Sequence, residues 1–325
     1  MRITKNGQLQ RPYADASKKE PQVQYFLAFE GAKTEYQYFS GVMNRQETLG
    51  ISALKDITLL RRPTLAENQS NPAKFLPLLL NSLEEYKTGS FSVQTIVEHT
   101  VDWLILKNYL PGKGSKKRQD MRKTLLNNLE DDGFPANQLI TDWGELTGAL
   151  RDHLAQYYAI RVSDKALKEF QTYLKRQFVT YNPKYDKACV IVDRDPESFT
   201  ASQYDLVLTL CHERKIALYV SNPCFELWLL LHFPEVLEID RDKMLKNERV
   251  GVSSKRRFLE NELRKILPQF RKNTLKFELF VDHITQAIEN ESAFCEDIEM
   301  LKVELGSNVG KLLSEMKNSS RFPEQ

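Results

Sequence analysis

Apolar and polar positions change rhythm three times along this chain. Residues 23–29 (VQYFLAF) form a nearly continuous apolar run, the pattern of a strand buried on both faces of a parallel sheet. Tyr38, Phe39, Val42 and Met43 then fall at helical spacing and predict an amphipathic helix over 34–46. Residues 56–60 (DITLL) predict a second short strand, closed by Arg61, Arg62 and Pro63. Asn71 and Pro72 open a helix that runs through Tyr86, with proline in its first turn.

From 91 to 180 the period becomes helical throughout. The stripes are Ile96, Val97, Val101, Leu104 and Ile105; Leu125, Leu126 and Leu129; Leu146, Leu150, Leu154 and Tyr158; Leu167, Phe170, Leu174 and Phe178. They predict roughly four helices, with turn material at 111–114 and 131–135 between them. Such stripes are ordinarily core. Residues 113–123 (KGSKKRQDMRK) read as a basic loop that can touch phosphates, or simply as a solvated one. Alternation resumes with a strand at 188–192, a helix from about 200 to 213 and a strand at 216–220, which together imply parallel pairing and right-handed crossovers. Ser221, Asn222 and Pro223 turn the chain into a very apolar helix at 225–233. The remainder, 240–318, is charged and helical, and 255–272 carries a strongly basic face. The predicted fold class is α/β, a parallel sheet flanked by helices, with a helical insertion and a helical C-terminal region. The parts are a flexible basic arm (1–20), a core in two pieces (21–90 and 181–235), the insertion (91–180) and the C-terminal region (236–325).

Composition narrows this picture. The 325 residues, 41% hydrophobic, suffice for a substantial core. Forty-six basic residues against 44 acidic leave a net charge of only +2, so any contact with nucleic acid must come from local patches. No apolar run approaches membrane-spanning length and the N-terminus lacks a signal-type apolar stretch, so no membrane partner and a cytoplasmic location are expected. Cys189, Cys211, Cys224 and Cys295 are scattered, which suits reduced thiols better than disulfides or zinc.

The chemistry concentrates at strand ends. The run 187–197 (KACVIVDRDPE) places Asp193 and Asp195 one residue apart at the end of an apolar strand. Residues i and i+2 of a strand share a face, and open α/β sheets hold ligands at their carboxyl ends. Two such carboxylates repel unless a cation lies between them, and Mg2+ takes this kind of ligand. The plainer alternative is a strand that ends in an acidic turn, with Asp195 capping the next helix. Glu30 ends the first strand. If both strands are central and parallel, Glu30, Asp193 and Asp195 converge into a set suited to metal-assisted phosphodiester chemistry. Lys33 and the start of the next helix are then placed to hold a phosphate. Glu35 is either an assisting carboxylate or a first-turn acid favoured by the helix dipole. Arg194 points to the other face. Within 221–233 (SNPCFELWLLLHF), Glu226 lies in an apolar helix and requires a partner or a function. His232 reads as a partly buried histidine more readily than as a base.

These segments together resemble the RloB-like family. Residues 29–39 (FEGAKTEYQYF) are similar to its E-G-x-x-T-E-x-x-Y-F opening, 192–196 (VDRDP) to its D-x-D segment, and 221–233 to its S-N-P-x-F-E-x-W-x-x-x-H-F signature, in the family's order. The resemblance implies a Toprim-like fold in which a glutamate and a D-x-D pair, here Glu30, Asp193 and Asp195, support Mg2+-dependent phosphodiester cleavage, with Mn2+ as a substitute. It implies a nuclease acting on nucleic acid, either RNA such as tRNA or DNA, as the toxic effector of an anti-phage abortive-infection system. An ABC-type ATPase encoded nearby is the implied partner, and a homodimer is allowed. The alternative is a non-catalytic regulator or adaptor of such an ATPase complex. The helical block at 91–180 departs from the shorter members and leaves substrate choice and partner contacts open.

Overall fold

The computed structural model describes residues 23–30, 34–52, 55–60, 71–88, 90–106, 109, 116–140, 144–158, 170, 180–251, 254, 256–272 and 274–318. The predicted arm at 1–20 and most of the helix over 167–178 lie outside the described residues. In chain order the elements are β1 (Val23–Phe29), α1 (Thr34–Asn44), β2 (Lys55–Leu59), α2 (Pro72–Thr88), β3 (Phe91–Ser92), α3 (Val93–Leu106), α4 (Lys116–Asp131), β4 (Leu139–Ile140), α5 (Gly144–Tyr158), β5 (Lys187–Asp193), α6 (Ala201–Glu213), β6 (Ile216–Asn222), α7 (Phe225–Leu230), α8 (Arg241–Lys246), α9 (Phe258–Ile266), α10 (Ile284–Glu291), β7 (Gly306–Ser307) and α11 (Val309–Lys317). Short 3-10 turns link several of the later helices. No helix among the described residues is long and apolar enough to cross a membrane.

The chain divides into two compact units. One holds residues 81–182, and the other joins 19–80 to 183–325. The larger unit is built on a five-stranded sheet in the order β2-β1-β5-β6-β7. The first four strands are parallel, and β7 pairs antiparallel with β6. Central position explains composition here: every residue of β1 is buried, as is the middle of β5. Gln24, the polar exception in β1, is satisfied by donating to the Thr58 hydroxyl at 2.8 Å and to the Asp186 carboxylate through its backbone at 2.9 Å. The crossover helix α6 starts at a capping box, in which Thr200 accepts the Gln203 amide and the Gln203 side chain accepts the Thr200 amide. Asn71 caps α2 by accepting the Ala73 amide at 2.9 Å.

The C-terminal region is not wholly helical. It supplies β7, and it closes the opposite end of the sheet through α11. Tyr25 donates to Glu315 at 2.9 Å, Lys187 pairs with the same carboxylate, and Lys55 donates to the Glu315 carbonyl at 2.6 Å. Three strands are thereby tied at their amino ends to one helix. Two glycines permit the close packing around β7. A Cβ on Gly306 would lie 1.9 Å from the Cys295 carbonyl oxygen, and one on Gly310 would lie 2.3 Å from the Glu291 carboxylate.

In the smaller unit, α3, α4 and α5 pack around Trp103, Leu104, Leu125, Leu129 and Leu150. A two-stranded antiparallel sheet pairs Phe91 with Ile140 and Ser92 with Leu139; strands of two residues leave no periodic signal to read. The basic loop predicted over 113–123 is helical from Lys116 onward, and 113–115 lie outside the described residues. Straight-chain Lys, Arg, Gln and Met favour helix there. Arg122 pairs with the buried Glu98 carboxylate, its guanidinium 2.6 Å away.

Glu291, 2% exposed, caps α11 by accepting the Gly310 amide at 2.9 Å. Burial pushes its carboxyl up to about 8, against an ordinary value of 4.5, although the Gly310 amide and Ser307 hydroxyl pull it down. Between those two values the folded chain keeps a proton that the unfolded chain releases. Its contribution therefore makes stability fall as pH rises from about 4.5 to about 8. Glu291→Gln should flatten the curve of melting temperature against pH across that window, and an unchanged slope would refute the assignment.

Candidate functional site

Parallel register decides what meets at the carboxyl ends of the strands. Phe29 stands opposite Ile191 across β1 and β5, and Asp193 opposite Ser221 across β5 and β6. One residue past β1, Glu30 donates its amide to the Ile191 carbonyl at 2.9 Å. Its carboxylate turns across the strand end and accepts the Asp193 amide, also at 2.9 Å. Asp193 in turn accepts the amide of Phe225, the first residue of α7, at 2.8 Å. The 221–233 segment is thus docked directly onto the strand-end aspartate.

Two further acids close the group. Glu35 comes from the first turn of α1 and Glu226 from the first turn of α7. Glu30, Glu35 and Glu226 are buried, while Asp193 keeps part of its surface. Burial pushes the Asp193 carboxyl well above the usual range, and the charges of Glu35, Glu30 and Glu226 push it further; Lys272 opposes them. Among the described residues, Lys272 is the one cation that acts on Asp193. Its ammonium lies 2.5 Å from Glu226. Burial by itself would raise Glu226, but the Lys272 charge and hydrogen bond hold it below the ordinary carboxylate value. The lysine is fixed by its own backbone: the Thr34 hydroxyl donates to the Lys272 carbonyl at 2.9 Å, and the Leu275 amide donates to Gln37 at 2.7 Å. Lys272 and Leu275 are therefore laced to the first two turns of α1.

Asp195 is used differently. Its carboxylate accepts the Glu197 amide at 3.1 Å and the Ser198 hydroxyl at 3.2 Å. The structure brings Glu30, Glu35, Asp193 and Glu226 together and sets Asp195 into the adjoining turn. The reason is local: β5 ends at Asp193, so strand alternation no longer governs the next two residues. Arg194 turns away, donating to the Lys302 carbonyl at 2.8 Å and the Phe199 carbonyl at 2.5 Å. Asn222 is structural, its amide holding the Leu301 and Glu304 carbonyls at 2.9 and 2.8 Å. Lys33 lies outside the described residues.

His232 is fully buried rather than partly so. Its Nδ1 faces the Trp228 carbonyl at 3.0 Å and its Nε2 the Tyr38 hydroxyl at 3.0 Å. A carbonyl only accepts, so Nδ1 carries the proton and Tyr38 donates to Nε2. Burial drives the ring's pKa down to about 3, which keeps it neutral. Its ring packs against Tyr38, Trp228, Phe233 and Phe280 and ties α1 to the segment that follows α7.

Lys272 is the residue that pattern reading misses. Its signal is indirect: a glutamate in an apolar helix requires a partner, and 255–272 is a basic stretch of unassigned purpose. All four clustered acids offer oxygen ligands, the kind that Mg2+ prefers, and a shared buried charge that a cation would relieve. Among the described residues no three Asp, Glu, His or Cys side chains already stand as a metal-binding group. Lys272 supplies part of the balancing charge through Glu226.

Lys272→Met should destabilise the fold by about 1–3 kcal/mol. That is less than a fully buried pair would lose, because about half of the lysine side chain is exposed. Adding Glu226→Gln should restore much of the loss in a denaturant titration; additive losses would show that the two groups do not interact.

A family model described as RloB-like protein matches residues 25–316, which takes in most of β1, the four acids, Lys272 and most of α11. No curated protein and no solved structure matches the chain. A match over nearly the whole length settles membership: the chain belongs to the RloB-like protein family.

Proposed function

We propose that the acid cluster is the centre of a magnesium-dependent nuclease of the Toprim type. Its substrate is nucleic acid, RNA such as tRNA or DNA, and its role is that of the toxic effector in an anti-phage abortive-infection system. The observation that carries this reading is the crowding of Glu30, Glu35 and Glu226 around Asp193, which drives the Asp193 carboxyl well above its ordinary range. Gathering four acids costs electrostatic energy, and they gather at the carboxyl edge of a parallel sheet, where such folds place ligands. Membership of the RloB-like family supports the defence role.

In this reading Glu30, Glu35 and Asp193 would hold the ion, with Asp195 as the outer member of the set. When bound, Mg2+ would neutralise charge developing on a phosphodiester and lower the pKa of a bound water. The chain's own residues do the rest. Asp193 orients α7 through the Phe225 amide, and Glu30 fixes the Asp193 backbone. Glu226, kept ionised by Lys272, holds that ammonium at the centre, where it meets an incoming phosphate. His232 stays neutral and supports α1 against α7 from behind. An ABC-type ATPase partner would govern when substrate reaches the centre.

A second reading, a non-catalytic regulator or adaptor of a defence ATPase, has one observation in its favour: the described acids do not already form a metal-binding group. The two readings part on a simple measurement. Under the nuclease reading, Asp193→Asn should lower Mg2+-dependent cleavage of tRNA, single-stranded DNA or duplex DNA at least about a hundredfold while the protein stays folded. Cleavage equal to the parent's would sink it. Mg2+ binding should also strengthen as pH rises, since Asp193 must lose its proton to bind the ion. The shift in melting temperature on adding Mg2+ should therefore grow from acidic to alkaline buffer, and a shift that shrinks would count against Asp193 as a ligand.

A further inference from the structure

An acidic centre repels the polyanion it is proposed to cut, so cations beside it must hold the chain. Whole-molecule charge does not provide them, at +2. Lys272 is a single ammonium, already paired with Glu226, and cannot by itself hold a polyanion. Further cations near the centre lie on a hairpin between α8 and α9. There the Val250 amide donates to the Arg256 carbonyl at 3.0 Å and the Phe258 amide to the Glu248 carbonyl at 2.9 Å, with Arg249 opposite Arg257 in an antiparallel bridge.

The root of this hairpin is fastened to the site. Asn247, in left-handed conformation at the end of α8, accepts the Leu259 amide at 3.0 Å. Its amide donates to the Cys224 thiol at 3.4 Å, two residues from Glu226. On the outer side, Arg257 donates to Glu197 at 2.8 Å, and Glu197 follows Asp195 by two residues. The charges of Glu197 and Asp195 both act on Arg257, and the Arg249 charge acts on Glu197. Glu197 is 73% exposed, so its hold on Arg257 is weak and water-screened. A guanidinium has five donors in a planar fork that suits phosphate, and Arg257 spends one of them here.

We infer that the paired segments 248–250 and 256–258 form a clamp for the sugar–phosphate backbone of a polynucleotide: Arg257 exchanges Glu197 for a phosphate, and Arg249 beside it takes a second. The inference rests on the nuclease reading for the identity of the polyanion. It concerns binding alone and needs no ion in the centre. Glu197 then acts as a stand-in anion that keeps the arginine fork extended over the turn holding Asp195.

The test is fluorescence anisotropy with labelled single-stranded DNA and RNA oligonucleotides in EDTA, using the full chain over a range of salt. Replacing Arg249 and Arg257 together by Ala should weaken binding about tenfold or more at low salt and reduce the slope of log affinity against log salt by about two. Glu197→Gln, which frees Arg257, should tighten binding, and this holds as a check should the double variant fold poorly. Binding within about twofold of the parent with an unchanged slope, or no binding by the parent, overturns the clamp. A chain that binds as described but never cuts defeats the nuclease reading and leaves the clamp standing; a chain that cuts with no dependence on these arginines does the reverse.

Discussion

The pairing of β1 with β5 is the constraint on which everything else depends. Glu30 and Asp193 are 163 residues apart, yet the Glu30 carboxylate grips the Asp193 amide because Phe29 stands opposite Ile191. A slip of one residue would turn alternate side chains to the wrong face, and a slip of two would separate the acids by a full strand repeat. The register is specified many times over. β1 is buried along its whole length, Gln24 is pinned by Asp186 and Thr58, and Tyr25 and Lys187 reach the same carboxylate of α11. The end of the sheet remote from the acids thus fixes the end that bears them.

At the acidic end the balance is electrostatic. Four largely buried carboxylates are crowded together, with one ammonium among the described residues acting on them. Two responses are visible. Glu226 keeps its charge by pairing with Lys272, and Asp193 gives way by taking up a proton more readily. This is the usual division when like charges are crowded: one group is paired, and another is neutralised. The apolar shell behind them, with neutral His232 bridging Tyr38 and the Trp228 carbonyl, denies the acids any relief from that side.

Much of this is legible in the sequence, for physical reasons. Both central strands show as apolar runs, and their last residues can be counted to, so Glu30 and Asp193 are within reach of pattern reading. Asn71-Pro72 announces its helix by capping chemistry, whereas the helix after β5, for which Asp195 is the candidate cap in the sequence, is capped by Thr200. Asp195 is harder, because period-two reasoning applies only while the strand lasts, and it stops at Asp193. The stretch at 113–123 reads as a loop by charge, yet its straight-chain residues form a helix from Lys116 and Arg122 answers a buried glutamate. The strands β3, β4 and β7 are two residues each and leave no period at all. Lys272 can be inferred as a need but not located, since its position is set by tertiary lacing to Thr34 and Gln37 rather than by any local pattern.

The tie between α11 and the start of the sheet bears on when the protein becomes itself during synthesis. Tyr25 and Glu315 lie 290 residues apart, and Lys55 reaches a carbonyl 260 residues downstream. A ribosome that has finished β1 must still make the whole helical unit, β5, the Lys272 segment and β7 before these bonds can close. Loop-closure entropy of that order is met only once α11 has been made. A nascent chain stalled or cleaved before α11 therefore holds the acids in its sequence but lacks the bracing that aligns their strands. Assembly of the centre in this way waits on a helix that contributes no acid to it.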